Sequence, residues 1–245
     1  MFAILSDVHG NLAALEAVLD DLYARKVERI ICLGDLVGYG PQPVECVELA
    51  AKFGLVLMGN HEEAVLTEAV DFNLRAGMAV NWTREQVTGE PGGQQRMDFL
   101  RSLPKKALEE DRAFVHGSPR DPTREYIFPR DIRNHDKMKA IFEHVPRLCF
   151  VGHTHVPGVF TENEGYQHPS QLLQGIYLLG EEKAIINVGS VGQPRDEDPR
   201  ACYVTFNEDA VVFRRVPYDV NRTASLIYQA KGLARSLGDR LKVGK

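Results

Sequence analysis

The sequence predicts an α/β protein organised around two packed β-sheets. Two observations carry that expectation. The first sixty or so residues alternate strand-like and helix-like segments in the order β-α-β-α-β, and after Val156 this alternation gives way to short apolar runs separated by polar turns. Composition agrees: 245 residues with 44% apolar and 26% charged content is ordinary globular material, enough for one sizeable core. It argues against a chain that is mainly disordered, collagen-like or coiled coil.

The elements follow in order. Residues 2–6 form a short apolar run, read as a buried strand. Over 11–26, Leu12, Leu15, Leu19 and Leu22 recur at helical spacing with Glu16, Asp20 and Asp21 between them, which predicts an amphipathic helix. A second strand is expected over 29–33, a second helix over 44–53 behind Pro41 and Pro43, and a third strand over 55–58. Such an order implies parallel strands with crossover helices. The more polar stretch 63–103 reads as two helices broken by the turn cluster Gly89-Glu90-Pro91-Gly92-Gly93, forming a cap or insertion over one end of the sheet. Strands are then expected over 113–116 and 148–151, with a Pro- and Arg-rich loop over 117–129 and a helix over 132–145 between them.

Beyond Val156, strand-like runs over 157–161, 172–179, 184–188, 201–206 and 210–216 predict antiparallel hairpins forming a second sheet. Asp219 is placed to cap a last helix running from 220 to about 237, with Lys231 and Arg235 on a basic face. Without an internal repeat or a clear linker, a single domain over 1–245 is the simplest organisation.

The formal charge of −5 argues against a dedicated nucleic-acid binder. The longest apolar runs are strand-length, so no membrane span is expected. The N-terminal residues carry neither a basic leader nor a long apolar stretch, and Cys32, Cys46, Cys149 and Cys202 form no Cys-x-x-Cys pair. Reduced core cysteines and a cytoplasmic location are the expectation.

Chemistry collects where the expected strands end. The ends read Ser6-Asp7-Val8-His9-Gly10-Asn11, Gly34-Asp35-Leu36-Val37-Gly38, Gly59-Asn60-His61-Glu62, His116-Gly117-Ser118 and Gly152-His153-Thr154-His155. Five of the eight histidines in the chain fall there, which chance loop decoration does not readily produce. Ligands of open α/β sheets bind at the carboxyl ends of strands. Asp7 and His9, like His153 and His155, stand two apart, so an extended backbone points both to one face. The donors are carboxylate, imidazole and amide oxygen without thiolate. That suits Mn, Fe, Zn, Co or Ni better than a structural zinc site, and seven candidates exceed what one ion takes.

These five blocks, in this order, resemble the calcineurin-like metallophosphoesterase superfamily: D-x-H, then G-D, G-N-H-[DE], a lone H, and G-H-x-H. The stretches Asn187-Val188-Gly189-Ser190-Val191-Gly192-Gln193-Pro194-Arg195 and His116-Gly117-Ser118-Pro119-Arg120-Asp121-Pro122 are similar to a bacterial and archaeal branch of small phosphodiesterases and dinucleoside-polyphosphatase-like proteins. The resemblance implies a four-layer α/β/β/α sandwich and two divalent transition-metal ions, with Mn the leading identity. It implies that Asp7, His9, Asp35 and His155 hold one ion, and that Asp35, Asn60, His116 and His153 hold the other. Asp35 then bridges, and His61 is a non-ligand catalytic histidine. Glu62 departs from the more usual aspartate, and the resemblance makes it the carboxylate that orients His61.

The implied reaction is hydrolysis of a small phosphate ester, a phosphodiester or nucleotide favoured, by direct attack of a metal-bridging hydroxide, with His61 assisting the leaving oxygen. Arg195 is a candidate phosphate clamp on its Gly-rich loop. Arg120 and Arg124 beside His116 are weaker candidates, read as surface arginines before substrate contacts. Tyr39 reads either as a stacking residue or as part of a turn. Alternatives are a non-catalytic scaffold of the same fold, a nuclease and a protein phosphatase; intact ligand positions count against the scaffold, and the acidic balance against the nuclease.

Overall fold

The computed structural model describes residues 1–68 and 73–245. Its first segments, β1 (Phe2–Leu5), α1 (Leu12–Ala24), β2 (Arg29–Cys32), α2 (Pro43–Ala50) and β3 (Leu55–Val56), follow the expected alternation. β1 pairs in parallel with β2, and β2 with β3. Local chemistry starts each helix: the Asn11 side chain accepts from the Ala14 amide at the head of α1, and Pro43 occupies the first turn of α2, where no amide donor is needed.

Three helices follow where two were expected: α3 (Asn60–Leu66), α4 (Leu74–Thr88) and α5 (Gly93–Ser102). The additional one opens on Gly-Asn-His-Glu itself, so Asn60 and His61 sit in a first helical turn rather than on a free loop. The turn cluster at 89–93 separates α4 from α5 as its glycines and proline predict. Residues 69–72, inside the helical stretch expected over 63–103, lie outside the described residues.

β4 (Lys106–Glu109) makes an unexpected antiparallel hairpin with β5 (Arg112–Val115). Its Lys-Ala-Leu-Glu sequence lies at a sheet edge with Leu108 exposed, so burial left little apolar signal to read. A 3-10 turn at Pro129–Arg133 precedes α6 (His135–Phe142), and β6 (Leu148–Val151) follows. The remaining strands are β7 (Gly158–Thr161), β8 (Gly165–Gln167), β9 (Ile176–Leu178), β10 (Ala184–Asn187), β11 (Ala201–Phe206) and β12 (Ala210–Val216).

The two six-stranded mixed sheets run β3-β2-β1-β11-β12-β9 and β4-β5-β6-β10-β7-β8. The C-terminal strands therefore do not form a sheet of their own. They divide between the sheets, β11 antiparallel to β1 and β10 parallel to β6. Every residue of β10 and β11 is buried, and a strand buried along its whole length belongs in a sheet interior, flanked on both edges.

Side chains alternate between two environments along each central strand. Ile4, Ile31, Phe114, Leu148, Phe150 and Val204 face the space between the sheets. Ala3, Leu5 and Cys32 turn toward the helices over the first sheet, and Ala113, Val115, Cys149 and Val151 toward α6 over the second. The result is a four-layer α/β/β/α sandwich. Phe114 and Phe150 stack with centroids 5.4 Å apart, and Phe150 meets Phe206 of the other sheet edge-on at 5.3 Å, so this aromatic group fastens one sheet to the other.

At the C-terminus the expected single helix is two: α7 (Val220–Gln229) and α8 (Arg235–Leu241). Gly232 in the intervening turn lies so close to the Trp82 ring that any Cβ would collide with it. Lys231 and Arg235 therefore share no helix face. No helix among the described residues is long and apolar enough to cross a membrane.

All four cysteines are buried and unpaired. Burial pushes the thiols of Cys149 and Cys202 up to about 12, and those of Cys32 and Cys46 upward too. None should react with a thiol reagent in the native protein at neutral pH, and all should react once the chain is denatured. Counting modified thiols by mass spectrometry before and after denaturation checks this, and labelling of the native chain at the rate of a free thiol would contradict it.

Candidate metal centre

The strand ends meet at one edge of the sandwich. Asp7 and His9 follow β1, Asp35 follows β2, and Asn60 and His61 open α3 after β3. From the other sheet come His116 after β5, and His153 and His155 after β6. The parallel pairing of β1, β2 and β3, and of β5 and β6, puts these ends on the same side. All seven expected ligands and His61 converge.

The two carboxylates are built alike. Asp7 Oδ2 accepts from the His153 amide at 3.0 Å, and its Oδ1 lies 3.2 Å from His155 Nε2. Asp35 Oδ1 accepts from the His61 amide at 2.9 Å, and its Oδ2 lies 3.3 Å from His116 Nε2 and 3.7 Å from His9 Nε2. Each carboxylate thus spends one oxygen on a backbone donor and turns the other inward. Three groups have all their donor atoms within 4.8 Å of one another: Asp7, His9 and His155; Asp35, His116 and His153; and His9, Asp35 and His61. Asn60 Oδ1 joins the second at 3.1 Å from His116 Nε2. Asp35 Oδ2 stands between His9 and His116, the position a shared ligand requires.

The donor set fits a cation. His9 Nδ1 lies 3.0 Å from Val37 O, and His155 Nδ1 2.5 Å from Gln193 O, so the hydrogen-bond network assigns the proton of each neutral ring to Nδ1. Their Nε2 atoms then face each other as lone pairs at 3.1 Å. Asp7 Oδ1, beside them, is buried and accepts no hydrogen bond among the described residues. Buried acceptors arranged this way repel unless a positive charge lies among them.

The protonation states agree. Burial alone would raise Asp7 and Asp35, but the surrounding imidazoles, the protonated His116 among them, outweigh it and hold both carboxyls below the usual range. Burial lowers His9 and His155, takes His153 down to about 3 and takes His61 down to about 4. His116 goes the other way: despite burial, Asp35 lifts it to about 9.

The backbone here is not extended as the two-residue spacing suggested. Asp7, His9, Asp35, His153 and His155 all have positive φ, between 49° and 65°. Side chains two apart share a face because the chain is kinked into the left-handed region at both, a conformation with a steric cost for residues other than glycine. Close approach also fixes the neighbouring glycines: a Cβ on Gly59 would strike Asp35 Oδ1, and one on Gly152 would strike Ser6 Oγ.

Glu62 has a different role from the one expected. Its Oε2 accepts from the amides of Asp35 at 2.7 Å and Gly59 at 2.9 Å, and its Oε1 accepts from Val37 at 3.1 Å. It therefore clamps the loop after β2 to the start of α3. Burial pushes its carboxyl up to about 7. The His61 ring instead lies against Gly38, between Tyr39 and His9, at centroid distances of 4.5 and 4.8 Å.

A cavity of about 290 Å³ opens beside the cluster, with Asn60, His153, Tyr39, Tyr126, Arg124 and Glu63 in its wall. Of the expected substrate contacts, Tyr39 lines it. Arg195 reaches the site from the loop after β10, its Cζ 6.0 Å from the Tyr39 ring centre. Arg120 is bound to Glu125 and is not in the cavity wall. Arg124, which pairs with Glu63 at 2.9 Å, is.

Sequence reasoning missed several supporting groups. Ser190 Oγ donates to Asp7 O at 2.8 Å, and Asn187 Nδ2 donates to Gly152 O at 2.7 Å, so the end of β10 and the loop after it prop both ligand turns. The Gly-Ser-Val-Gly-Gln run signalled that loop without assigning its side chains. Tyr126 stacks on His153 with centroids 3.7 Å apart, and no motif marked it.

Comparison with known proteins agrees with this geometry. The family model for the calcineurin-like phosphoesterase superfamily domain matches residues 1–210. An uncharacterized protein of Methanocaldococcus jannaschii is 39% identical over 256 residues, covering all of this chain and 98% of the relative. Among solved structures, a metallophosphoesterase from Sphaerobacter thermophilus superposes with a TM-score of 0.86 at 40% identity, over 100% of this chain and 98% of that one. A hypothetical protein from Pyrococcus horikoshii shares the fold, with a TM-score of 0.77 at 21% identity over 100% and 99% of the two chains.

The clamp by Glu62 carries a measurable consequence. Glu62→Ala leaves three buried amides without their acceptor and should cost about 3 kcal/mol or more in urea unfolding. Glu62→Gln keeps the volume but turns an amide group toward one of the donors, and should cost less, about 1–3 kcal/mol. Equal stability of the alanine variant and the wild type would show that the clamp contributes nothing.

Proposed function

The chain belongs to the calcineurin-like phosphoesterase superfamily, and from that premise we propose that it is a dinuclear metal-dependent phosphoesterase acting on a small phosphate ester, with phosphodiesters and nucleotides favoured. The observation that carries this reading is the inward-facing donor set: the Nε2 lone pairs of His9 and His155 opposed at 3.1 Å beside Asp7 Oδ1, and Asp35 Oδ2 between His9 and His116.

Asp7, His9, Asp35 and His155 would hold one divalent transition-metal ion, and Asp35, Asn60, His116 and His153 the other. Bound there, such ions supply Lewis acidity toward phosphoryl oxygens and water. The remaining work falls to the chain. Backbone donors from His61 and His153 fix the two carboxylates, so the ligands need no rearrangement when a substrate arrives. His61 packs against the Gly38 backbone and the Tyr39 ring, next in sequence to Asn60 of the cavity wall, and its imidazole N–H would stabilise the leaving oxygen. Arg195 brings a guanidinium to the Tyr39 side of the site, suited to an anionic oxygen of the substrate. A non-catalytic scaffold has no need of this complete donor set, which counts against that alternative.

The test pairs turnover with metal content. After reconstitution with Mn, wild-type protein should hydrolyse bis(p-nitrophenyl) phosphate, and His61→Gln should lose about 100-fold or more in kcat. Bound metal, measured by elemental analysis, should stay at the wild-type level in that variant. Undiminished turnover would remove His61 from the mechanism. A wild type that hydrolyses no phosphate ester with Mn, Fe, Zn, Ni or Co would favour the scaffold.

A further inference from the structure

Most partly buried arginines in this protein are paired with carboxylates: Arg29 with Glu109, Arg96 with Glu48, Arg147 with Asp111 and Arg215 with Asp196. Arg84 donates to backbone carbonyls and Arg214 to Thr205 Oγ1 instead, and Arg195 and Arg240 differ from all of these in sharing one acceptor. Among the described residues neither has a carboxylate partner, and both donate to one neutral atom, Gln193 Oε1, at 2.8 and 3.3 Å. Arg195 Nε is buried with no hydrogen-bond partner. Burial, and then the charge on Arg195, pull Arg240 below the usual arginine range. Two guanidinium groups held this close without an anion repel each other, and the fold keeps them together.

Their place relative to the metal centre is ordered. The rings of His9 and His61 pack on Tyr39 at 4.7 and 4.5 Å, Tyr39 faces Arg195 at 6.0 Å, and Arg240 follows from α8. A second cavity of about 900 Å³ opens at Arg240 and also takes Arg75 and Lys245 into its wall. It adjoins the cavity beside the metal centre, since Tyr39, Asn73 and Ala76 line both. Among the described side chains of its wall the one carboxylate is Asp239, which accepts the Tyr228 hydroxyl at 2.5 Å, and Lys245 Nζ lies 3.9 Å from Glu197 Oε1. The path from the histidines outward therefore runs into positive charge.

We propose that Arg195 and Arg240 form a subsite for a second phosphate group, so that the preferred substrate carries one phosphate at the metal centre and another joined to it or close by. This rests on the phosphoesterase reading above. A phosphate set between two guanidinium forks accepts several charge-assisted hydrogen bonds, including one from the unpartnered Arg195 Nε, and relieves the repulsion between the arginines. Arg240 lies beyond residue 210, where the family match ends, so the C-terminal helix of this chain confers the preference.

Competition against bis(p-nitrophenyl) phosphate tests the proposal, with AMP and ADP as probes at a fixed saturating metal concentration. Wild type should bind ADP about tenfold or more tightly than AMP, and Arg240→Ala should bring the two inhibition constants close to parity. Arg240→Lys keeps the charge but not the fork and should fall between them. Undiminished discrimination in Arg240→Ala overturns the proposal, as does a wild type without preference for ADP. A protein that turns over no ester with any metal defeats the phosphoesterase reading instead, and the subsite is then read without turnover. In EDTA, orthophosphate should raise the melting temperature of the wild type, and Arg240→Ala should lose that rise. A rise that persists in the variant, or is missing in the wild type, overturns the subsite.

Discussion

The site depends on two buried carboxylates, each gripped by a backbone amide through one oxygen and aimed at imidazoles through the other. The amides come from the opposite side of the site in one case and from the same sheet in the other. Asp7, after β1, is held by the His153 amide after β6, so this bond crosses from one sheet to the other. Asp35, after β2, is held by the His61 amide at the start of α3. Removing the first bond would free a carboxylate and also loosen the joint between the sheets at its functional edge. The packing of Phe114, Phe150 and Phe206 behind that joint therefore has a chemical purpose: it sets the distance between the ligands of the two halves.

This dependence explains what could be read from the sequence. The resemblance implied the α/β/β/α sandwich, and the convergence of Asp7, His9, Asp35, Asn60, His61, His116, His153 and His155 was legible because they fall in short glycine-containing blocks that follow expected strands. Strand periodicity and turn chemistry are local signals. What escaped is non-local or weakly apolar. The division of β10 and β11 between two sheets is decided by burial on every side, which short apolar runs do not distinguish from a hairpin. β4 and β8 are edge strands with little apolar content. Glu62 could be seen beside His61 in sequence, yet its partners are amides brought in from the loop after β2. Arg240 is some forty-five residues from Arg195 in sequence, and only folding makes them neighbours.

The left-handed backbone at Asp7, His9, Asp35, His153 and His155 was also invisible, since the residue types do not demand it. Each such residue costs about 1 kcal/mol or more, so five together consume a noticeable share of a typical folding free energy of about 5–15 kcal/mol. Compensation is visible in the loops. The Asp7 amide donates to Gly34 O at 3.0 Å, the His9 amide to Asp35 O at 2.9 Å and the Gly10 amide to Leu36 O at 2.8 Å, so the kinked segment after β1 is laced to the one after β2. Ser190 and Gly192 hold Asp7 O from the other side.

These bonds determine what the strain is for. A ligand loop with ordinary backbone angles could relax outward and hydrate its carboxylates, losing the inward lone pairs of His9 and His155. Here the outward movement would break several buried backbone hydrogen bonds at once, each costly to leave unmade. Strain and lacing together make the converged geometry the stable state of the chain itself, with the repulsion between donors retained in the fold. Binding energy from a cation or a phosphate is then not spent on organising the site, and the same logic extends outward to the paired guanidinium groups, whose mutual repulsion α8 and Gln193 hold in place for an anion to relieve.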